Sequence, residues 1–159
     1  MTYLVKINKI SRVLDSLPNR LAARAVLFSK NRFRQENWVN TSVKPWKKRK
    51  PIKESKQRAK RGILRSSGRL MRSVRKIHAS KSLIIIGTYV PYAEVHNEGF
   101  KGTVNVPAHK RKSRKGRVHT VKAYTMNMNM PQREFLGDSQ ALANRLEKMI
   151  LKDIINAMR

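Results

Sequence analysis

The sequence predicts an α+β domain: a small antiparallel sheet packed by N-terminal and C-terminal helices, with long basic loops between them. Three observations predict it. Apolar residues recur at helical spacing near both ends of the chain; a short β-branched run, Leu83 to Ile86, sits mid-chain and stops at Gly87; and Thr125 to Met130 alternates polar residues with methionines at the period of an extended strand. The 159 residues suit one domain spanning 1–159 with a real core.

Taken in order, Ile7, Ile10, Val13, Leu14 and Leu17 form a first helical stripe. Ser16 and Pro18 then read as an N-cap and a first-turn proline, so a second helix is expected to start there. Its apolar stripe is Leu21, Ala22, Ala25, Phe28 and Phe33; Arg20, Arg24, Lys30, Arg32 and Arg34 make the rest of its surface basic. From 38 to 61 the periodicity fades among prolines and lysines, which predicts a flexible basic loop that orders on assembly. Trp38 and Trp46 either anchor this loop by burial, the favoured reading, or stack on nucleobases.

Gly62 to Val74 has the pattern of a basic helix, with arginines spaced to share a face. Ser73 to Ala79 is expected to turn at Ser80 and Lys81 into Leu83 to Ile86, the central strand of the sheet. Pro91 sets the start of a short helical segment that Gly99 ends. Thr103 to Val106 and Val118 to Tyr124 read as two arms of a hairpin, with 108–117 as its long, basic, acid-free tip. Met126, Met128 and Met130 share one face and are expected against the core or an adjacent subunit. Pro131 stops that strand. The last helix carries Leu142, Leu146, Met149, Ile150 and Ile154 on one stripe, capped by Asp138 or Ser139.

Charge is the strongest compositional signal. With 37 Lys and Arg against 9 Asp and Glu, a formal net charge of +28, the fold repels itself unless a polyanion or an acidic partner lies close. The candidate polyanion-facing residues are Lys47, Lys48, Arg49 and Lys50 in the first loop, Arg65, Arg69 and Arg72 on the basic helix, and Lys110, Arg111, Lys112, Arg114, Lys115 and Arg117 in the second loop. Such segments touch phosphates through counterion release without reading bases.

Catalytic and metal chemistry find little support. There is no cysteine, and His78, His96, His109 and His119 show no paired ligand spacing, so no metal site is expected. Glu94, His96 and Glu98 lie close in sequence, but an alternating Glu, His, Glu in a short turn reads better as polar surface than as an acid–base group. No phosphate loop, nucleophile elbow or carboxylate cluster is present, and an enzyme is not expected, a nuclease least of all. The N-terminus lacks the apolar core of a secretory signal, and no segment approaches the ~20 apolar residues of a spanning helix, so a soluble, non-exported chain is expected.

Three segments in order carry a family resemblance: GILRSSGRLMRSV at Gly62 to Val74, YAEVHNEG at Tyr92 to Gly99, and MPQREFLGDS at Met130 to Ser139. Together they resemble the phage virion-morphogenesis and tail-completion proteins of the Mu-like G family. The matching positions are Gly68, Leu70, Gly87, Tyr92, Ala93, His96, Gly99, Pro131, Arg133, Phe135, Leu136 and Gly137, which the resemblance assigns to fold and assembly. It implies a small α+β fold without cofactor, assembling with itself as a ring, with a hexamer expected. Its further partners would be neck, connector or tail proteins and packaged DNA, with no membrane, in a virion built in the host cytoplasm. The basic segment Lys110 to Arg117 has no counterpart in the resemblance. An alternative from composition alone is a cellular RNA-binding or ribosome-associated protein, for which a pI near 11.5 is ordinary.

Overall fold

The structure is a computed structural model that describes residues 3–49 and 61–159. Among the described residues its frame is two antiparallel helices, α1 (Tyr3–Gln35) and α4 (Gln140–Met158), with four two-stranded antiparallel ribbons and two short helices between them. The ribbons pair β1 (Asn37–Val39) with β2 (Val43–Pro45), β3 (Arg75–Ala79) with β4 (Ile84–Gly87), β5 (Phe100–Val106) with β8 (Tyr124–Met130), and β6 (His109–Lys112) with β7 (Val118–Val121). The short helices are α2 (Arg69–Ser73) and α3 (Ala93–Glu98). The α+β class is as expected. The single sheet with Leu83 to Ile86 at its centre is not: β4 belongs to a two-stranded ribbon lying on α1, and Leu83 and Ile85 stay exposed.

The two expected N-terminal helices are one. α1 runs through Pro18, and Ser16 Oγ donates to the Val13 carbonyl at 2.9 Å instead of capping a helix. Proline lacks the N–H that would serve the Leu14 carbonyl, a local loss the helix tolerates because Leu17, Pro18 and Ala22 are buried on its packed face. Tertiary burial overrides the local stop signal. Near the other end of this helix Arg32, read from sequence as surface, is buried. Its guanidinium sits 4.5 Å over the Phe28 ring and donates to Asn37 Oδ1 at 2.9 Å and Gln35 Oε1 at 3.0 Å. Burial, then Arg145, lowers its pKa from the ordinary arginine value.

The core lies between α1 and the loops that cross its C-terminal half: Phe33, Trp46, Ile63, Leu70, Val74, Val90, Ala93 and Phe135. Trp46 meets Phe33 edge-on at 5.6 Å, and Trp38 meets Phe28 edge-on at 5.9 Å. Both tryptophans are buried, so they anchor this segment and neither is placed to stack on a base. The stretch expected as an irregular loop therefore begins with the β1–β2 hairpin; residues 50–60 of that loop, Lys50 included, lie outside the described residues. The hairpin also caps α4. Asn40 accepts from the Gln140 and Ala141 backbone amides at 2.7 and 3.2 Å, and Ser139 Oγ accepts from Leu142 N at 3.1 Å. Ser139, one of the two expected caps, is thus the residue that fills the role.

The basic helix expected over Gly62 to Val74 shrinks to the five residues of α2. Gly68, at φ 70°, breaks the run in the left-handed region that favours glycine, and Ile63 is instead tied to Glu36, whose Oε1 accepts its amide at 2.6 Å. The expected strand pair around Ser80 is present, closed by Ser80 N donating to Leu83 O at 2.8 Å. Among the described residues, no helix is long and apolar enough to cross a membrane.

Candidate nucleic-acid interface and the motif cluster

β5 through β8 form a single arm. Phe100 faces Met130, Val106 faces Tyr124, His109 faces Val121 and Lys112 faces Val118, so both ribbons share one register, interrupted only at Pro107–Ala108 and Lys122–Ala123. A proline without an N–H accounts for a break at that point. The pairing corrects two expectations. Val118 to Val121 pairs with His109 to Lys112, not with Thr103 to Val106, and His109 to Lys112 of the basic tip is strand rather than loop. The turn itself is Ser113 to Arg117: Ser113 N donates to Arg117 O at 2.8 Å, and Gly116, at φ 84°, supplies the left-handed residue of a three-residue loop. At ~3.3 Å per residue the arm is about 40 Å long, and its strands pack on each other rather than on the helices.

The tip carries Lys110, Arg111, Lys112, Arg114, Lys115 and Arg117, all exposed, and the chain contains no Asp or Glu from Gly99 to Arg133. Two ion pairs are present among the described residues, Arg20 with Asp153 at 2.8 Å and Lys81 with Asp15 at 2.6 Å, both away from the arm. The tip is therefore an uncompensated cationic ribbon.

The other basic candidates do not join it in one continuous face. Lys47 and Lys48 are exposed beside the root of the arm, and Arg49 is half-buried, donating to the Arg61 carbonyl. Arg65 precedes α2 and folds back over Gly62, half-buried. Arg69 and Arg72 are exposed, and Arg72 donates to the Ser67 carbonyl at 2.8 Å. Since the helix begins only at Arg69, the three arginines do not share one helical face.

The segments Tyr92 to Gly99 and Met130 to Ser139 meet at the arm's root. Arg133 N donates to His96 O at 2.8 Å, and the Arg133 side chain donates twice to Lys47 O, at 3.1 and 3.2 Å. Asn97 clamps the returning strand: its Oδ1 accepts from Phe135 N and Leu136 N at 2.9 Å each, and its Nδ2 donates to Leu136 O at 2.8 Å. Ser29 Oγ donates to Phe135 O at 2.6 Å and Trp46 Nε1 to Glu134 O at 2.9 Å. Phe135 is thereby held fully buried, 4.7 Å from Phe33. Gly99, at φ 82°, ends α3 where a Cβ would sit 2.9 Å from Gln132 N and 3.0 Å from Met130 O, too close for any side chain. Gly68, Leu70 and Ala93 are buried, Gly87, Pro131 and Leu136 half-buried, and Tyr92 and Gly137 exposed.

His96 is half-buried beneath Tyr92, rings 5.9 Å apart, with its Nδ1 buried and without a hydrogen-bond partner among the described residues. Burial, reinforced by the Arg133 guanidinium, holds its pKa below the ordinary histidine value. Arg133 is lowered by burial and then by Arg49, with Glu36 opposing; Glu134 is raised, chiefly by burial. Glu94 and Glu98 are exposed on α3 at positions two residues either side of His96, a spacing that faces away on a helix, so the three do not converge on a point. Among the described residues no His, Asp and Glu group is arranged to hold a metal.

The phage virion morphogenesis family matches residues 5–155, from α1 to nearly the end of α4. The chain belongs to that family. No curated protein and no solved structure shows a significant match. Membership makes this a structural protein of phage particle morphogenesis and a virion component, and the motif cluster at the arm's root lies inside the family's span. Asn97, Ser29 and Trp46, which hold that cluster, were not legible as site residues. Asn97 shows only as a spacer between His96 and Gly99, and no local pattern marks an amide that bonds residues 38 and 39 positions away.

Proposed function

We propose that the chain acts by assembly rather than catalysis, closing as a ring at the head–tail junction or the tail end of a phage particle, with the arm tips set against DNA or acidic subunits. The observation that carries this is the arm: six exposed cations on a projecting ribbon with no acidic residue along it. A ring of such tips around a lumen lowers the self-energy of DNA held in or passing through it, and contact with phosphates relieves the repulsion within a chain of net charge +28. Neighbouring neck, connector or tail proteins with acidic faces would satisfy the remaining basic surface.

Replacing Lys110, Arg111, Lys112, Arg114, Lys115 and Arg117 with serine in the phage is the test. Particles that form but lose DNA, or heads and tails that fail to join, are expected. A normal yield of filled, infectious particles would sink the lumen role. Light scattering of purified protein, after nuclease treatment at high salt, is expected to show a discrete closed oligomer.

A further inference from the structure

The base of the arm has two unlike faces. Phe100, Val104 and Val106 on β5 lie across from Met130, Met126 and Tyr124 on β8, and with Met128 opposite Gly102 they make one face continuously apolar. Lys101, Thr103 and Asn105 opposite Asn129, Asn127 and Thr125 make the other polar. Phe100, Tyr124 and Met126 are exposed, and among the described residues no helix packs over that face. A two-stranded ribbon is marginal by itself in water and needs its apolar face covered.

Charge indicates what covers it. Lys101 is the one charged residue in β5 and β8, although the chain carries 37 Lys and Arg. A second neutral apolar surface exists on the same molecule, a groove of about 450 Å³ between α1, the β3–β4 turn and α4, lined by Leu14, Leu21, Leu83, Ile84 and Ile150 among others. Leu14 and Leu83 are exposed there. Its one cation, Lys81, is neutralised by Asp15 at 2.6 Å. The groove on the opposite part of the helix pair is rimmed instead by Arg24, Arg145, Lys148 and Lys152 and would repel a basic chain. The ribbon's apolar face and the Leu14–Leu83 groove are thus the surfaces on which two copies of this chain meet without like-charge repulsion.

We infer that the apolar face of β5–β8 in one copy seats in the Leu14–Leu83 groove of the next, a head-to-tail contact between copies; this rests on the ring reading and names its surfaces. Two different patches meeting heterologously generate a ring when the rotation closes. Methionine side chains adapt to an irregular groove, and seating the base leaves the cationic tip free beyond it.

Tyr124→Asp and Leu83→Asp each place a charge in one of the two surfaces at an exposed position, so folding is undisturbed, as circular dichroism and denaturant unfolding will verify. By light scattering each variant alone is expected at the mass of one chain, 18.4 kDa. Their equimolar mixture is expected as a dimer, because one intact arm and one intact groove remain between unlike copies. A wild-type monomer would overturn both the ring and this contact. A wild-type oligomer that survives Leu83→Asp leaves the ring standing and overturns the groove. Two monomeric variants whose mixture stays monomeric would show that the surfaces are not mates.

Discussion

Phe135, fully buried against Phe33, and Asn97, which holds the backbone on either side of it, set the stability of the arm's root. Phe135→Ala is expected to cost ~3–5 kcal/mol in denaturant unfolding, the range for deleting a buried aromatic ring. Asn97→Ala removes three hydrogen bonds and leaves two amides and a carbonyl unpaired, a loss of about 2 kcal/mol or more. His96 makes stability depend on pH with a definite sign. Its folded pKa lies below its unfolded value, because burial and Arg133 disfavour the imidazolium. The unfolded chain therefore binds the proton first, and stability falls as pH drops below ~6.5, down to the folded pKa. Melting temperatures between pH 7.5 and 5.5 are expected to fall less for His96→Gln than for the wild type; equal slopes would remove His96 from the account. The identity of these residues was partly legible: Arg133, Phe135 and His96 stand in recognisable segments. Their partners were not, since Asn97, Ser29 and Trp46 act on residues far along the chain.

At the scale of elements, α1 is longer than its own local signals allow. Pro18 interrupts its hydrogen bonding but is buried, so Pro18→Ala is expected to stabilise the helix by less than the ~3 kcal/mol separating proline from alanine in a helix interior, the lost ring packing offsetting part of the gain. A lowered denaturation midpoint would mean that the packing of the proline ring outweighs the missing hydrogen bond. The arm is the opposite case, an element with little tie to the body. Because Gly102 and Met128 are paired neighbours, replacing 103–127 with an Asn-Gly turn is expected to leave the body's unfolding transition within a few degrees of wild type while abolishing assembly. Loss of the cooperative transition would show instead that the arm supports the core. The basic arm was legible as charge, but its stretch His109 to Lys112 was expected as loop, because lysine and arginine carry no strand signal and the pairing that makes it β6 depends on a partner strand six residues on.

For the whole molecule, the imbalance of 37 cations over 9 anions governs behaviour toward polyanions. Nonspecific duplex binding, followed by fluorescence anisotropy against salt, is expected to give a steep log–log dependence. Substituting the six tip residues should reduce the slope by ~0.9 for each phosphate that the arm no longer neutralises. An unchanged slope would place the phosphates on Lys47, Lys48 and the α2 arginines rather than on the arm. On the same imbalance, the contact proposed between copies uses neutral surfaces, and salt is expected to favour it by screening the rest.

By itself the sequence determined the α+β class, the C-terminal helix with its cap narrowed to Asp138 or Ser139, the β3–β4 turn, the scale of the positive charge, and three segments that belong to a phage morphogenesis family. These are local or compositional properties, readable from periodicity, turn residues and counts. Only the tertiary structure decided that α1 is continuous through Pro18, that Arg32 and both tryptophans are buried, that the strands form separate ribbons rather than one sheet, and that the basic loop is a projecting arm. Each depends on which distant residues pack together, and burial between them outweighs the local preference of proline, arginine or lysine.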